Sequence, residues 1–124
     1  MTVEGLPQEL GDWWDDFARS LRRRNRSDAT AGMYREAFVR FWAWALDVGI
    51  DADPAAVDTP DVNAFVDKLV ASGLQDTTIS IVWRNLRPFF TWWSKETDST
   101  NPFTGADVPS VKDDKPPQTI PIDD

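Results

Sequence analysis

The chain has 124 residues with a formal net charge of −8, and it contains neither histidine nor cysteine. It therefore cannot supply a Ser/His or Cys/His nucleophilic system, a disulfide, or a zinc site of the usual Cys/His kind. An enzyme acting by itself is not expected, and no cofactor or metal ion is predicted. A hydrophobic content of 41% still supports a folded domain with a substantial core.

The first predicted helix runs from about Gln8 to Arg23. Acidic side chains fill its first turns, and Arg22, Arg23 and Arg24 stand at its end, an arrangement that the helix dipole favours. Apolar residues recur at steps of three and four residues, as an amphipathic helix requires: Leu10, Trp13, Trp14, Phe17 and Leu21.

A second, longer helix is predicted to begin at Ser27 or Asp28, either of which can cap it, and to end before Gly49. Its apolar side is formed by Tyr34, Phe38, Phe41, Ala45 and Val48. Because Tyr34 is the sole tyrosine and lies on this side, it is predicted to be a core residue rather than a nucleophile.

The third predicted helix opens with Thr59 as cap and Pro60 at the first helical position, and it closes at Gly73. Its predicted buried side consists of Val62, Phe65, Val66, Leu69 and Val70.

A fourth helix is predicted from Asp76 or Thr77, as cap, to about Lys95. Pro88 lies inside it and removes one backbone hydrogen bond, so a bend is expected between Arg84 and Pro88. The apolar side is long: Ile79, Val82, Trp83, Leu86, Phe89, Phe90 and Trp93.

These elements predict an all-α fold, a compact orthogonal bundle of four or five helices. We expect residues 1–96 to form the helical domain. The helical period then stops and prolines accumulate, which predicts an extended linker over residues 97–124. The chain ends there as if cut, and a second domain is expected to follow. The longest apolar run, residues 41–46, is too short to span a membrane. The lack of cysteine and the lack of a targeting segment together suggest the reducing cytosol.

Seven tryptophans are unusual for this length. Three of them, Trp13, Trp83 and Trp93, fit the apolar sides of predicted helices. The other four are not expected to be all buried by one small bundle: Trp14, Trp42, Trp44 and Trp92. An exposed aromatic surface that meets a protein partner is therefore expected, and a helical protein-interaction module without a DNA role is the alternative hypothesis.

The distribution of charge is more informative than its total. Residues 19–40 carry +5 and residues 77–95 carry +3, whereas the three stretches around them carry −5, −6 and −5. If the two basic segments pack side by side, one face of the domain is basic. The alternative is an arginine-rich loop that is solvated and only balances the neighbouring acids.

Four polar residues of the fourth helix, Thr77, Ser80, Arg84 and Arg87, are spaced by three, four and three residues. This spacing places them on one side of a helix, from which they could enter a DNA groove together. The alternative for Thr77 and Thr78 is helix capping alone.

The order of several short motifs resembles one known family. Ser27, Thr30 and Tyr34 open the long helix, and Phe41-Trp42-x-Trp44 follows. Leu86-Arg87-Pro88-Phe89-Phe90-x-Trp92 ends the last helix, shortly before Asn101-Pro102-Phe103. Together they resemble the N-terminal SAM-like, or core-binding, domain of tyrosine recombinases, the phage-integrase family.

The resemblance implies one half of a clamp around double-stranded DNA, active in site-specific recombination and DNA integration. The catalytic half, with its Arg, His, Arg and Tyr residues, would lie in a separate C-terminal domain of the same parent chain. Further partners implied are other recombinase protomers, and the location implied is the cytoplasm, in association with the nucleoid.

The resemblance also implies that the starts of the second and fourth helices face the major groove. The residues concerned are Arg26, Ser27, Ala29, Thr30 and Met33, and then Thr77, Thr78, Ser80, Ile81 and Arg84. The apolar Met33 could contact thymine methyl groups. Phosphate contacts are expected from Arg22, Arg23, Arg24 and Arg87.

Overall fold

The computed structural model describes residues 5–109 and is all-helical, as predicted. Its helices are α1 (Gln8–Arg23), α2 (Asp28–Asp47), α3 (Thr59–Ala71) and α4 (Asp76–Thr97), with a short 3-10 turn at Pro54–Ala56. Helix α2 makes its most extensive contacts with α4. None of the helices in the described range is both long and apolar enough to cross a membrane.

The helix starts differ in part from those predicted. Ser27 caps α2 as predicted, since its side chain accepts a hydrogen bond from the Thr30 N–H at 3.1 Å. The cap of α3 is Asp58 rather than Thr59, and the Asp58 N–H donates to Asp61 Oδ2 at 2.9 Å. The cap position of α4 belongs to Gln75, so the prediction of Asp76 or Thr77 as cap was wrong by one or two residues.

The core is a continuous set of aromatic rings. Phe89 of α4 meets Phe17 of α1 with centroids 5.6 Å apart, and Phe38 of α2 at 4.9 Å. Phe41 of α2 meets Phe65 of α3 at 5.2 Å. These edge-to-face contacts join all four helices, because α4 contacts α1 and α2 through Phe89, and α2 contacts α3 through Phe41. Helix α4 continues through Pro88, and the bend expected there stays a prediction.

The prediction that four tryptophans are not all buried is confirmed, because two of the four are buried and two are only partly buried. Trp42 is 0% exposed and Trp14 is 7% exposed. Trp44 and Trp92 are partly buried and pack against the core. Trp92, for example, packs against Trp13 at 6.1 Å. Within residues 5–109 no tryptophan is fully exposed, so the broad exposed aromatic surface expected for the interaction-module alternative is reduced to the partly buried rings of Trp13, Trp44 and Trp92.

The chain after α4 is not an extended linker throughout, because residues 101–107 fold back onto the domain. Phe103 is 5% exposed and packs against Trp83 at 5.1 Å and Phe90 at 5.6 Å. The Thr59 hydroxyl donates to the carbonyl of Pro102 at 2.8 Å. Packing therefore passes the boundary expected at residue 96. Residues 110–124 of the predicted linker lie outside the described residues, and the division into two parts stays a prediction.

Replacing Phe103 by alanine is expected to lower the free energy of unfolding by about 3 kcal/mol, since a buried ring is removed and a cavity is left. Urea unfolding monitored by circular dichroism measures this loss. Val108→Ala is the control, because Val108 is 66% exposed, and its effect is expected to stay within about 0.5 kcal/mol. Equal effects of the two substitutions would contradict a packed role for residues 101–107.

Candidate nucleic-acid interface

The turn between α1 and α2 positions the first basic segment. Asn25 adopts a left-handed conformation with φ of 59°, which asparagine tolerates better than most residues. The Asn25 N–H donates to the carbonyl of Arg22, and the Arg26 N–H to that of Leu21, both at 2.9 Å. These bonds close the end of α1 and turn the chain sharply, so that Arg24 and Arg26 lie on either side of the turn.

The turn and α4 together form a cleft of about 720 Å³, here called the cationic cleft. Five of the side chains that line it are cationic, contributed by the α1–α2 turn and by α4: Arg24, Arg26, Arg84, Arg87 and Lys95. The two basic segments of the sequence therefore do pack side by side.

Among the described residues, cationic side chains outnumber acidic ones in the lining of the cleft. None of its five cationic side chains forms an ion pair with an acid in residues 5–109, where the pair formed is Arg19 with Asp16. Glu96 is the acidic side chain that lines the cleft. All four arginines are exposed. No described acid is therefore paired with these four arginines, and their guanidinium groups face solvent.

The walls of the cleft belong to the core. Tyr34, predicted to be a core residue, is half-buried: its ring stacks on Phe17 with centroids 6.2 Å apart and also lines the cleft. The Arg87 guanidinium lies 5.9 Å from the centroid of the buried Trp83 ring, a distance at which cation and ring attract each other. Packed aromatic walls hold the helices that carry the arginines in fixed relative positions.

A second groove lies between α2 and α4, here called the methyl groove. Exposed apolar side chains of both helices line it, namely Met33 of α2 and Ile81 of α4, together with Thr78. The groove also contains polar and charged groups: Arg35, Glu36, Arg40 and Asn85. Residues from the starts of α2 and α4 thus do meet, but in a different place from the cationic cleft.

The predicted polar row on α4 is interrupted at Ser80, which is 4% exposed. The prediction that Ser80 reaches DNA was therefore wrong. It lies one turn before Trp83, whose ring packs against Phe103. Ser80 thus lies on a buried side of α4 that spacing alone marks as polar.

The remaining predicted residues line neither the cationic cleft nor the methyl groove. Ser27 and Thr30 are engaged with each other, since the Ser27 hydroxyl donates to Thr30 Oγ1 at 3.0 Å, which matches a capping role. Arg23 lines a smaller recess beside Trp92. The other three predicted residues, Arg22, Ala29 and Thr77, are exposed.

Several residues of this surface were not among the predicted contacts. Lys95 lies at helical spacing from Arg84 and Arg87, so its place in the cationic cleft could have been predicted from periodicity. Arg40 follows Met33 by seven residues, two helical turns, and lines the same groove. Nothing in the sequence pattern predicts that Trp92 lines the cationic cleft, because its position there depends on how α1 packs against α4.

A family model, the phage integrase N-terminal SAM-like domain, matches residues 14–97. The chain belongs to this family. The match includes most of α1 and all of α2 to α4, so the helices that line both clefts are parts of the family domain, whereas residues 101–107 lie beyond it. The matched domain is not the catalytic part of phage integrase. Comparisons with curated proteins and with solved structures gave no match.

Proposed function

We propose that this chain is the DNA-binding domain of a site-specific tyrosine recombinase and that the cationic cleft holds the backbone of its target duplex. The domain would clamp one face of the duplex during recombination or DNA integration. A catalytic domain of the same parent chain and further recombinase protomers would complete the assembly, in the cytoplasm and in association with the nucleoid.

The observation that carries the proposal is the convergence of five cationic side chains, without ion pairs to described acids, in one cleft. Duplex DNA presents closely spaced phosphates, and cations that neutralise them release counterions. Arginine suits phosphate especially well, because its planar fork donates two parallel hydrogen bonds. Membership of the integrase family supports the same conclusion.

The net charge of −8 is compatible with DNA binding. The cationic cleft concentrates positive charge on one side, and at physiological ionic strength charges beyond about 8 Å are largely screened. The acids elsewhere on the surface then contribute mainly to solubility and to the repulsion of DNA from other faces. Binding by the domain alone is consequently expected to be weak and strongly dependent on salt.

Single substitutions Arg26→Ala and Arg84→Ala test the cleft. Each should weaken binding to a duplex. Each should also make the negative slope of log K against log salt shallower by about 0.9, the value for one phosphate contact. Fluorescence anisotropy of a labelled duplex, titrated at several salt concentrations, measures both quantities.

Lys68→Ala is the matched control, since it removes one positive charge from the exposed surface of α3, away from the cleft. Its salt slope should stay at the parent value. If Arg26→Ala and Arg84→Ala also keep the parent slope and affinity, DNA does not occupy the cleft.

A further inference from the structure

The methyl groove combines exposed apolar groups with a charged and polar border. Met33 is 48% exposed and Ile81 is 54% exposed, and both line it. We propose that this groove recognises the C5-methyl groups of thymine bases in a duplex held at the cationic cleft, so that the domain prefers thymine-containing sequence. This inference rests on the proposed function and adds the base chemistry that is read.

The groove and the cationic cleft lie on the same pair of helices. Ile81 precedes Arg84 by three residues, about one helical turn or 5 Å along α4. Asn85 lines the groove, while its neighbour Arg84 lines the cleft. On α2, Met33 lines the groove and the adjacent Tyr34 lines the cleft. In the proposed complex, a duplex whose phosphates contact Arg84 places its base edges near Ile81.

The chemistry of the groove matches a thymine edge in the major groove. The C5-methyl group is an apolar feature there, next to the O4 acceptor. Met33 and Ile81 supply apolar contact, and Thr78 and Asn85 supply hydrogen-bond donors. The charged groups that line the groove are Arg35, Arg40 and Glu36, which leave a net positive charge towards DNA.

A protein partner fits the groove less well. Stable protein interfaces bury about 800 Å² per partner around an apolar centre. The methyl groove has two large exposed apolar side chains, Met33 and Ile81, and charged side chains line the same groove. Small apolar contacts within a cationic border are better suited to single methyl groups on a polyanion.

Two hairpin duplexes that differ only in thymine methyl groups test the inference. One has an alternating A·T stem, and the other has uracil in place of every thymine, so base pairing and charge are the same in both. Wherever the protein binds along the stem, the first duplex presents methyl groups and the second presents none. The protein should bind the thymine hairpin about fourfold more tightly for each methyl group buried. Anisotropy competition at low salt measures the ratio of the two affinities.

Met33→Ala combined with Ile81→Ala should reduce this ratio towards one while keeping the salt slope, because no charge changes. Val70→Ala is the control, an apolar residue of α3 that is 59% exposed, and it should keep the parental ratio. Equal affinity of the parent protein for both hairpins would overturn the inference but leave salt-dependent DNA binding intact. Self-association that the double variant abolishes, without any thymine preference in the parent, would overturn it in favour of a protein contact. A parent that binds neither hairpin would refute the proposed function together with this inference.

Discussion

Phe89→Ala is expected to lower the free energy of unfolding by about 3–5 kcal/mol, among the largest losses for any single substitution in this domain. Phe89 is 1% exposed, and its ring contacts Phe17 of α1 and Phe38 of α2. Alanine would remove contacts to two other helices at once and leave a cavity that three packed helices can close only in part. A domain of this size has a total stability of about 5–15 kcal/mol, so the variant would keep a small margin.

Urea unfolding followed by tryptophan fluorescence and by circular dichroism measures this loss. Val70→Ala is the matched control, since Val70 is 59% exposed on α3, and its effect should stay within about 0.5 kcal/mol. Phe89→Leu should recover part of the stability because it refills much of the cavity. A loss below about 1 kcal/mol in Phe89→Ala would mean that the ring is not central to the core.

Removing four arginines of the cationic cleft together should abolish measurable duplex binding at physiological salt. The variant replaces Arg24, Arg26, Arg84 and Arg87 by alanine. With about 1 kcal/mol per phosphate contact, affinity at low salt should fall about a thousandfold. The negative slope of log K against log salt should become shallower by about 3.6, the sum for four phosphate contacts. Anisotropy titrations from low to physiological salt follow both changes.

The quadruple variant also changes the net charge by −4, which a control must match. Ala64→Glu, Lys68→Glu and Val70→Glu together change it by the same amount on exposed positions of α3. This control should retain most of the affinity and the full slope. The quadruple variant should lose only about 0.5–1 kcal/mol of unfolding free energy, because all four arginines are exposed and Arg87 alone among them contacts a core ring in the described residues, that of Trp83. If the control lost as much affinity as the quadruple variant, net charge rather than the cleft would govern binding.

Most of the fold could be predicted because local signals agree with the final packing. The bounds predicted for α1, Gln8–Arg23, are those observed, since apolar period, dipole-compatible charges and a turn at Asn25 all agree. The starts of α3 and α4 were displaced by one or two residues. Several residues in each start, such as Asp58 and Thr59, can cap a helix, and tertiary contacts select among them: the Thr59 hydroxyl bonds to Pro102 instead.

The candidate site was predictable in its composition and only partly in its geometry. Segment charges predicted the two basic segments that the cationic cleft brings together, because these arginines cluster in the sequence itself. The division between the cationic cleft and the methyl groove was not predictable, since it depends on how α2 lies against α4. Ser80 fits the polar spacing of α4, yet it is 4% exposed.

The sequence by itself determined the helices, the all-α class, the family and the separation of positive from negative charge, because each is written in local order and spacing. The tertiary structure alone decided that all seven tryptophans are at least partly buried, that Phe103 returns to the core, and that a net charge of −8 is compatible with a cationic cleft. These outcomes depend on which helix sides meet. Side-chain packing between distant segments decides that, and no local pattern encodes it.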